Sequence, residues 1–221
     1  MGPANSLFFD ERPSELMKSD AALWKLVGAI VAGDAVNVSR LLAASPALAS
    51  ASFHTGATRQ TAGKYFLDQI SRYVYAGDTA LHIAAAAYET EVVRKLLAAG
   101  ADFRATNRLG DEPLHAASVG IPGSRRWNPS AQAATIICLT EAGADPNAAG
   151  KSGVSPLHRA VRTRCAAAVR TLLEHGADPA RKNKSGSTPM LLAIQNTGRG
   201  GTGSPEAKSQ QQEILRLLER R

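Results

Sequence analysis

The sequence predicts an all-α solenoid of about five helix-turn-helix units joined by hairpin-like turns and broken by three insertions. Three observations predict it. Segments beginning at Thr79, Glu112, Ser155 and Thr188 line up at spacings of 33, 43 and 33 residues, and a fixed period of this length marks a repeat architecture. Apolar residues make up 44% of the 221-residue chain but aromatics only 5%. The apolar content is therefore mostly Ala, Leu and Val, which favours closely packed helices over a β-sandwich. Within a unit the apolar residues recur at helical spacing, as do Val92, Val93, Leu96 and Leu97.

Each element follows in order. Residues 1–19 read as an N-terminal tail, with Asp10, Glu11 and Glu15 and no apolar stretch of signal-peptide length. Residues 20–50 read as an N-terminal capping unit. Leu23, Leu26, Val27, Ile30 and Val31 mark its first helix, Gly33 and Asp34 the turn, and Val38, Leu41 and Leu42 the second helix. Residues 51–76 are an aromatic-rich insertion holding Phe53, Tyr65, Phe66, Tyr73 and Tyr75, within which Lys64 to Arg72 is expected to form an added helix. Full units follow at 77–109, at 110–152 with an insertion at 120–129, and at 153–185. Residues 186–221 close the stack as a C-terminal capping unit with a Gly-rich insertion at 196–205 and a charged terminal helix. Thr, Ser or Glu precedes each first helix, and three of the four units then place Pro in its first turn, where no N–H is needed. Gly100, Gly143 and Gly176 end the second helices.

The repeated stretches are Thr79-Ala80-Leu81-His82, Glu112-Pro113-Leu114-His115, Ser155-Pro156-Leu157-His158 and Thr188-Pro189-Met190-Leu191, and three units end in Gly-Ala-Asp. They resemble the ankyrin repeat family, whose signature includes T-P-L-H-x-A at a 33-residue period. The resemblance covers about residues 20–221, less the insertions. Glu112 and Ser155 depart from the family's Thr, and Leu191 from its His. The resemblance implies a stack in which each unit touches only its neighbours, with His82, His115 and His158 buried around the turns. It also implies a non-enzymatic protein–protein interaction module that binds through its turn tips and its inner first helices. Carried onto this chain, the tip positions are Tyr75 and Asp78, then Arg108, Leu109 and Asp111, then Lys151 and Ser152, then Lys184 and Ser185. The inner-helix positions are Ala86 and Ala87, Val119, Arg162 and Thr163, and Gln195 and Asn196.

Charge narrows the partner. Residues 1–120 hold 11 Lys and Arg against 12 Asp and Glu, a net −1, so the +7 of the whole chain arises after residue 120, where 15 face 7. An acidic protein segment on the concave face is the expected partner. A second strip, Arg125, Arg126 and Trp127, then Arg162 and Arg164, then Arg199, lies along the helix–helix turns and is expected to form an anion-binding edge. Two alternatives stand beside this reading. One is a polyanion or nucleic-acid binder using the basic half. The other is an inhibitor or accessory subunit acting through residues 51–76. Nucleic acid is disfavoured, because the aromatics cluster at 53–75 and do not interleave with the cations.

Other chemistry finds little footing. Gly198, Gly200 and Gly203 spell G-x-G-x-x-G, but a helix and not a strand precedes them, and no acidic residue follows about 20 positions on. No nucleotide or other cofactor is expected. The three repeat histidines lie about one unit apart, roughly 10 Å by helix packing distances, too far to share a metal. Cys138 and Cys165 have neither disulfide nor metal spacing. Arg162 and Arg164 beside Cys165 invite a reactive thiol, against which stands a small residue packing at a helix start. No run approaches the roughly 18 apolar residues of a membrane span. A cytoplasmic protein is expected, in an unspecified oligomeric state. The use of 18 Arg against 8 Lys, with abundant Ala, suits a GC-rich bacterial genome.

Overall fold

The computed structural model describes residues 15–195 and 204–220, with side chains from residue 20 onward. The tail residues 1–14, the glycines at 198, 200 and 203, and most of the last insertion lie outside the described residues. Among the described residues, ten helices form five pairs: α1 (Glu15–Val31) with α2 (Ala35–Ala44), α3 (Ala80–Ala87) with α4 (Thr90–Ala98), α5 (Pro113–Ala117) with α6 (Pro129–Glu141), α7 (Pro156–Arg162) with α8 (Ala166–Glu174), and α9 (Pro189–Ile194) with α10 (Pro205–Glu219). The first helices α1, α3, α5, α7 and α9 stack in one layer and the second helices in another, each pair touching its neighbours. The chain is thus the all-α solenoid that its periodicity predicts.

Local chemistry sets each pair. Thr79 and Ser155 accept from the backbone N–H of His82 and His158, and Thr188 from that of Leu191, so each caps a first helix. Pro113, Pro156 and Pro189 occupy the first turn, where the missing N–H costs nothing. Gly100, Gly143 and Gly176, at φ of 87, 102 and 89°, take the left-handed turn after the second helices. The core runs unbroken through the stack, with Leu23, Ile30, Leu81, Leu96, Leu114, Leu139, Leu157 and Leu172 all fully buried. Each such side chain contributes about 1.5–3 kcal/mol by leaving water.

The insertion at 51–76 corrects one expectation. Lys64 to Arg72 does not form a helix. A single 3-10 turn, Ala62–Tyr65, leads into a small hairpin of β1 (Phe66–Leu67) and β2 (Arg72–Tyr73), with Phe66 opposite Tyr73 and Leu67 opposite Arg72. Aromatic residues suit a pleated surface, and the Phe66 and Tyr73 rings pair at 4.8 Å across the strands. Backbone bonds fasten the base of the insertion: Phe53 donates to Asp78 at 2.9 Å, Gly77 to Phe53 at 2.8 Å and Ala57 to Val74 at 2.8 Å. Its aromatics also turn inward. Phe53 is buried and stacks on Trp24 at 4.7 Å, and Tyr65 lies 6.2 Å from the same ring.

Candidate functional site: the turn tips and the first-helix face

The turn tips form a continuous ladder. Arg108 N–H donates to the Ala76 carbonyl at 2.7 Å, Lys151 N–H to Leu109 at 2.9 Å and Lys184 N–H to Ser152 at 3.0 Å. These bonds put Arg108, Lys151 and Lys184 at successive rungs, and all three side chains are exposed. Arg108 lies over the Tyr75 ring at 5.0 Å, a cation–π contact that holds its guanidinium at the rim. Inside the first and third tips an asparagine closes the loop, where the middle tip has Gly150. Asn107 Oδ1 accepts from the backbone of Leu109 at 2.9 Å and of Asp111 at 3.2 Å, and Asn183 Oδ1 from Ser185 at 2.9 Å and Ser187 at 3.0 Å.

Two of the expected tip contacts face the interior. Asp78 is fully buried; its carboxylate accepts from Tyr75 N–H at 2.8 Å, Asn107 Nδ2 at 2.9 Å and Arg72 Nη2 at 3.3 Å. Asp111 is 9% exposed and receives Arg159 Nη2 at 2.5 Å. Both acids organise turns and are unavailable as surface contacts, because a buried carboxylate must be paired where it sits. The exposed charge along the rim is therefore more basic than the tip sequences suggest.

Each repeat histidine ties one unit to the next. His82 Nδ1 accepts from Thr79 N–H at 3.1 Å, which leaves the proton on Nε2 to donate to the Asp111 carbonyl at 3.0 Å. His115 bridges Glu112 N–H and the Val154 carbonyl in the same way, and His158 bridges Ser155 N–H and the Ser187 carbonyl. Burial pushes all three imidazoles below the ordinary histidine range, so they stay neutral. Both nitrogens of each ring are thereby committed to the protein.

At Glu112 the replacement of the usual Thr has a consequence. The carboxyl is half-buried, and its Oε2 has no partner. Burial, with Asp145 and Asp102 nearby, pushes it up to about 7. Cys165 is buried at the start of α8 and pushed up to about 11, again by burial, so it is no thiolate nucleophile.

The expected anion edge is broken. Arg164 is only 4% exposed, sits at a left-handed φ of 59° and has no partner for its Nη1. It packs below the edge, because the backbone of that turn aims its side chain inward. Arg199 and Asn196 lie outside the described residues. Arg125 is exposed. Arg126 is turned away from the strip: its Nη1 donates to the main-chain oxygen of Asp68 in the first insertion. Trp127 is half-buried and donates to Gln132 Oε1 at 3.0 Å. Arg162 and Gln195 are exposed, and Thr163 Oγ1 accepts from Gly120 N–H at 3.4 Å.

The bond from Arg126 to Asp68 joins two insertions that are far apart in sequence. The hairpin starts beside the N-terminal end of α3 and reaches Ala86, Ala87, Tyr88 and Glu89 at its other end. A cleft of about 220 Å³ opens between its turn (Ile70–Arg72) and the segment Val119–Trp127. Gly120 lets that segment approach: a Cβ there would stand 2.8 Å from Cys165 Sγ and 2.9 Å from Trp127. This cleft had no signal in the repeat pattern. It arises where two insertions meet over the inner-helix positions Ala86, Ala87 and Val119.

Comparison with known families agrees with this geometry. The model described as Ankyrin repeat matches residues 76–108, and the one described as Ankyrin repeats (many copies) matches residues 139–193. The chain belongs to the ankyrin repeat family. Repeats of this family generally mediate protein–protein interaction and are typically non-enzymatic. No curated relative matches the chain. Among the described residues, no helix is long and apolar enough to cross a membrane.

Proposed function

We propose that the protein is a non-enzymatic adaptor that binds an acidic protein segment along the concave side formed by its turn tips and first helices. The ladder that presents Arg108, Lys151 and Lys184 in a row carries this reading. A rigid row of cations on a pre-ordered backbone gives a partner electrostatic complementarity at little entropic cost. The inward turn of Asp78 and Asp111 leaves no carboxylate from those positions to cancel it.

The test is charge reversal. A partner captured from nuclease-treated lysate of the source cells should be lost when Arg108→Glu and Lys184→Glu are combined, with the fold intact by circular dichroism. Undiminished capture would remove the rim from the interface. The excess of cations after residue 120 supports a second reading as a polyanion binder, whose capture would vanish with nuclease or fall steeply with salt.

A further inference from the structure

We propose that the cleft between the two insertions is a pocket for one glutamate side chain of the acidic partner segment. The inference rests on the adaptor reading but concerns a different set of residues. At about 220 Å³ the cleft is smaller than the roughly 300 Å³ at which pockets for drug-sized ligands begin. It suits a single side chain better than a cofactor.

The lining has two characters. Ala86, Ala87 and Ile121 offer apolar surface for methylenes. Arg72 and Arg126 supply guanidinium groups beside it. Arg72 pairs with Asp78 through Nη2 alone, while its Nε is buried with no acceptor. A carboxylate is the acceptor that best matches a guanidinium. Glu89 is the one acidic side chain of the lining. The two guanidinium groups of Arg72 and Arg126 outnumber it. The side chain that fits has a short aliphatic stem and a carboxylate tip.

Butyrate reproduces that stem and tip, and n-butylamine and n-butanol match it in size with a positive or neutral tip. The three are titrated into ¹⁵N-labelled full-length protein at equal ionic strength, following the Arg72 Nε–H and Trp127 indole N–H signals. Butyrate should shift both saturably. Butylamine and butanol should bind at least about tenfold more weakly, since charge-assisted pairing is lost. Ala87→Leu fills the cleft without touching a polar contact and should abolish the butyrate response, whether or not an Arg72→Gln variant folds. Equal responses to all three probes, a preference for butylamine, or a butyrate response that survives Ala87→Leu would overturn the proposal. No response to any probe would also overturn it, and if partner capture still depended on Arg108 and Lys184, the adaptor reading would stand without the pocket.

Discussion

Arg126, in the loop before α6, donates its Nη1 proton to the main-chain oxygen of Asp68, 58 residues earlier in the hairpin turn. This contact links two insertions that the repeat itself does not require, and it bounds the cleft on the first-helix face. Arg126→Ala should free the hairpin turn. Hydrogen exchange at residues 67–73 should accelerate, while global stability falls by no more than about 1 kcal/mol, since the pair is exposed. Unchanged exchange there would show that the hairpin is held by its base alone.

Asp78 and Arg72 form the most buried ion pair of the turn tips, with side chains 0 and 16% exposed. Asp78→Ala would strand the arginine and also release Tyr75 N–H and Asn107 Nδ2. A loss of about 3–5 kcal/mol is expected in denaturant unfolding. A loss below about 1 kcal/mol would mean that water replaces the carboxylate.

His115→Ala removes the bridge between Glu112 N–H and the Val154 carbonyl and leaves a cavity. The expected cost is about 2–5 kcal/mol. Acid should act on all three repeat histidines. Their folded pKa values lie below the ordinary 6.5, so the unfolded chain takes up protons first as pH falls. The stability they contribute is present above pH 6.5 and is lost on acidification below it. Unfolding midpoints from pH 7.5 to 5 read this directly in the wild type, and the loss should be shallower in His115→Ala.

Glu112 has the opposite sign. Its carboxyl, pushed up from 4.5 to about 7, holds a proton in the fold that the unfolded chain has released. Its contribution is therefore lost as pH rises from 4.5 to 7. Glu112→Gln cannot ionise and should be more stable than wild type at pH 8, with the gap closing toward pH 4.5. A gap that is constant with pH would place the carboxyl in water.

Much of this architecture is legible in the sequence because repeat physics is local. A Thr or Ser cap, a Pro in the first turn and a Gly at the end each act within a few residues, and the 33-residue spacing repeats them. What was not legible depends on contacts that no period encodes. Lys64 to Arg72 has helix-compatible residues, yet the cross-strand partner of Phe66 is Tyr73, just outside that window. Asp78 and Asp111 read as exposed tips because nothing nearby announces their partners. Asn107, 29 residues on from Asp78, was the available signal, since an Asn before a tight turn often serves backbone and neighbour alike. Arg164 looked like one more edge cation until its left-handed backbone turned it inward. The cleft needed two insertions to meet, which only the folded chain displays.

In the proposed adaptor, the rim of Arg108, Lys151 and Lys184 receives the partner. Hydrogen exchange on the protein alone and with its captured partner bound tests this most directly. New protection is expected at the tips, residues 106–109, 150–153 and 183–186, with α4, α6 and α8 unchanged. Protection confined to the second helices, with the tips exchanging as before, would contradict it.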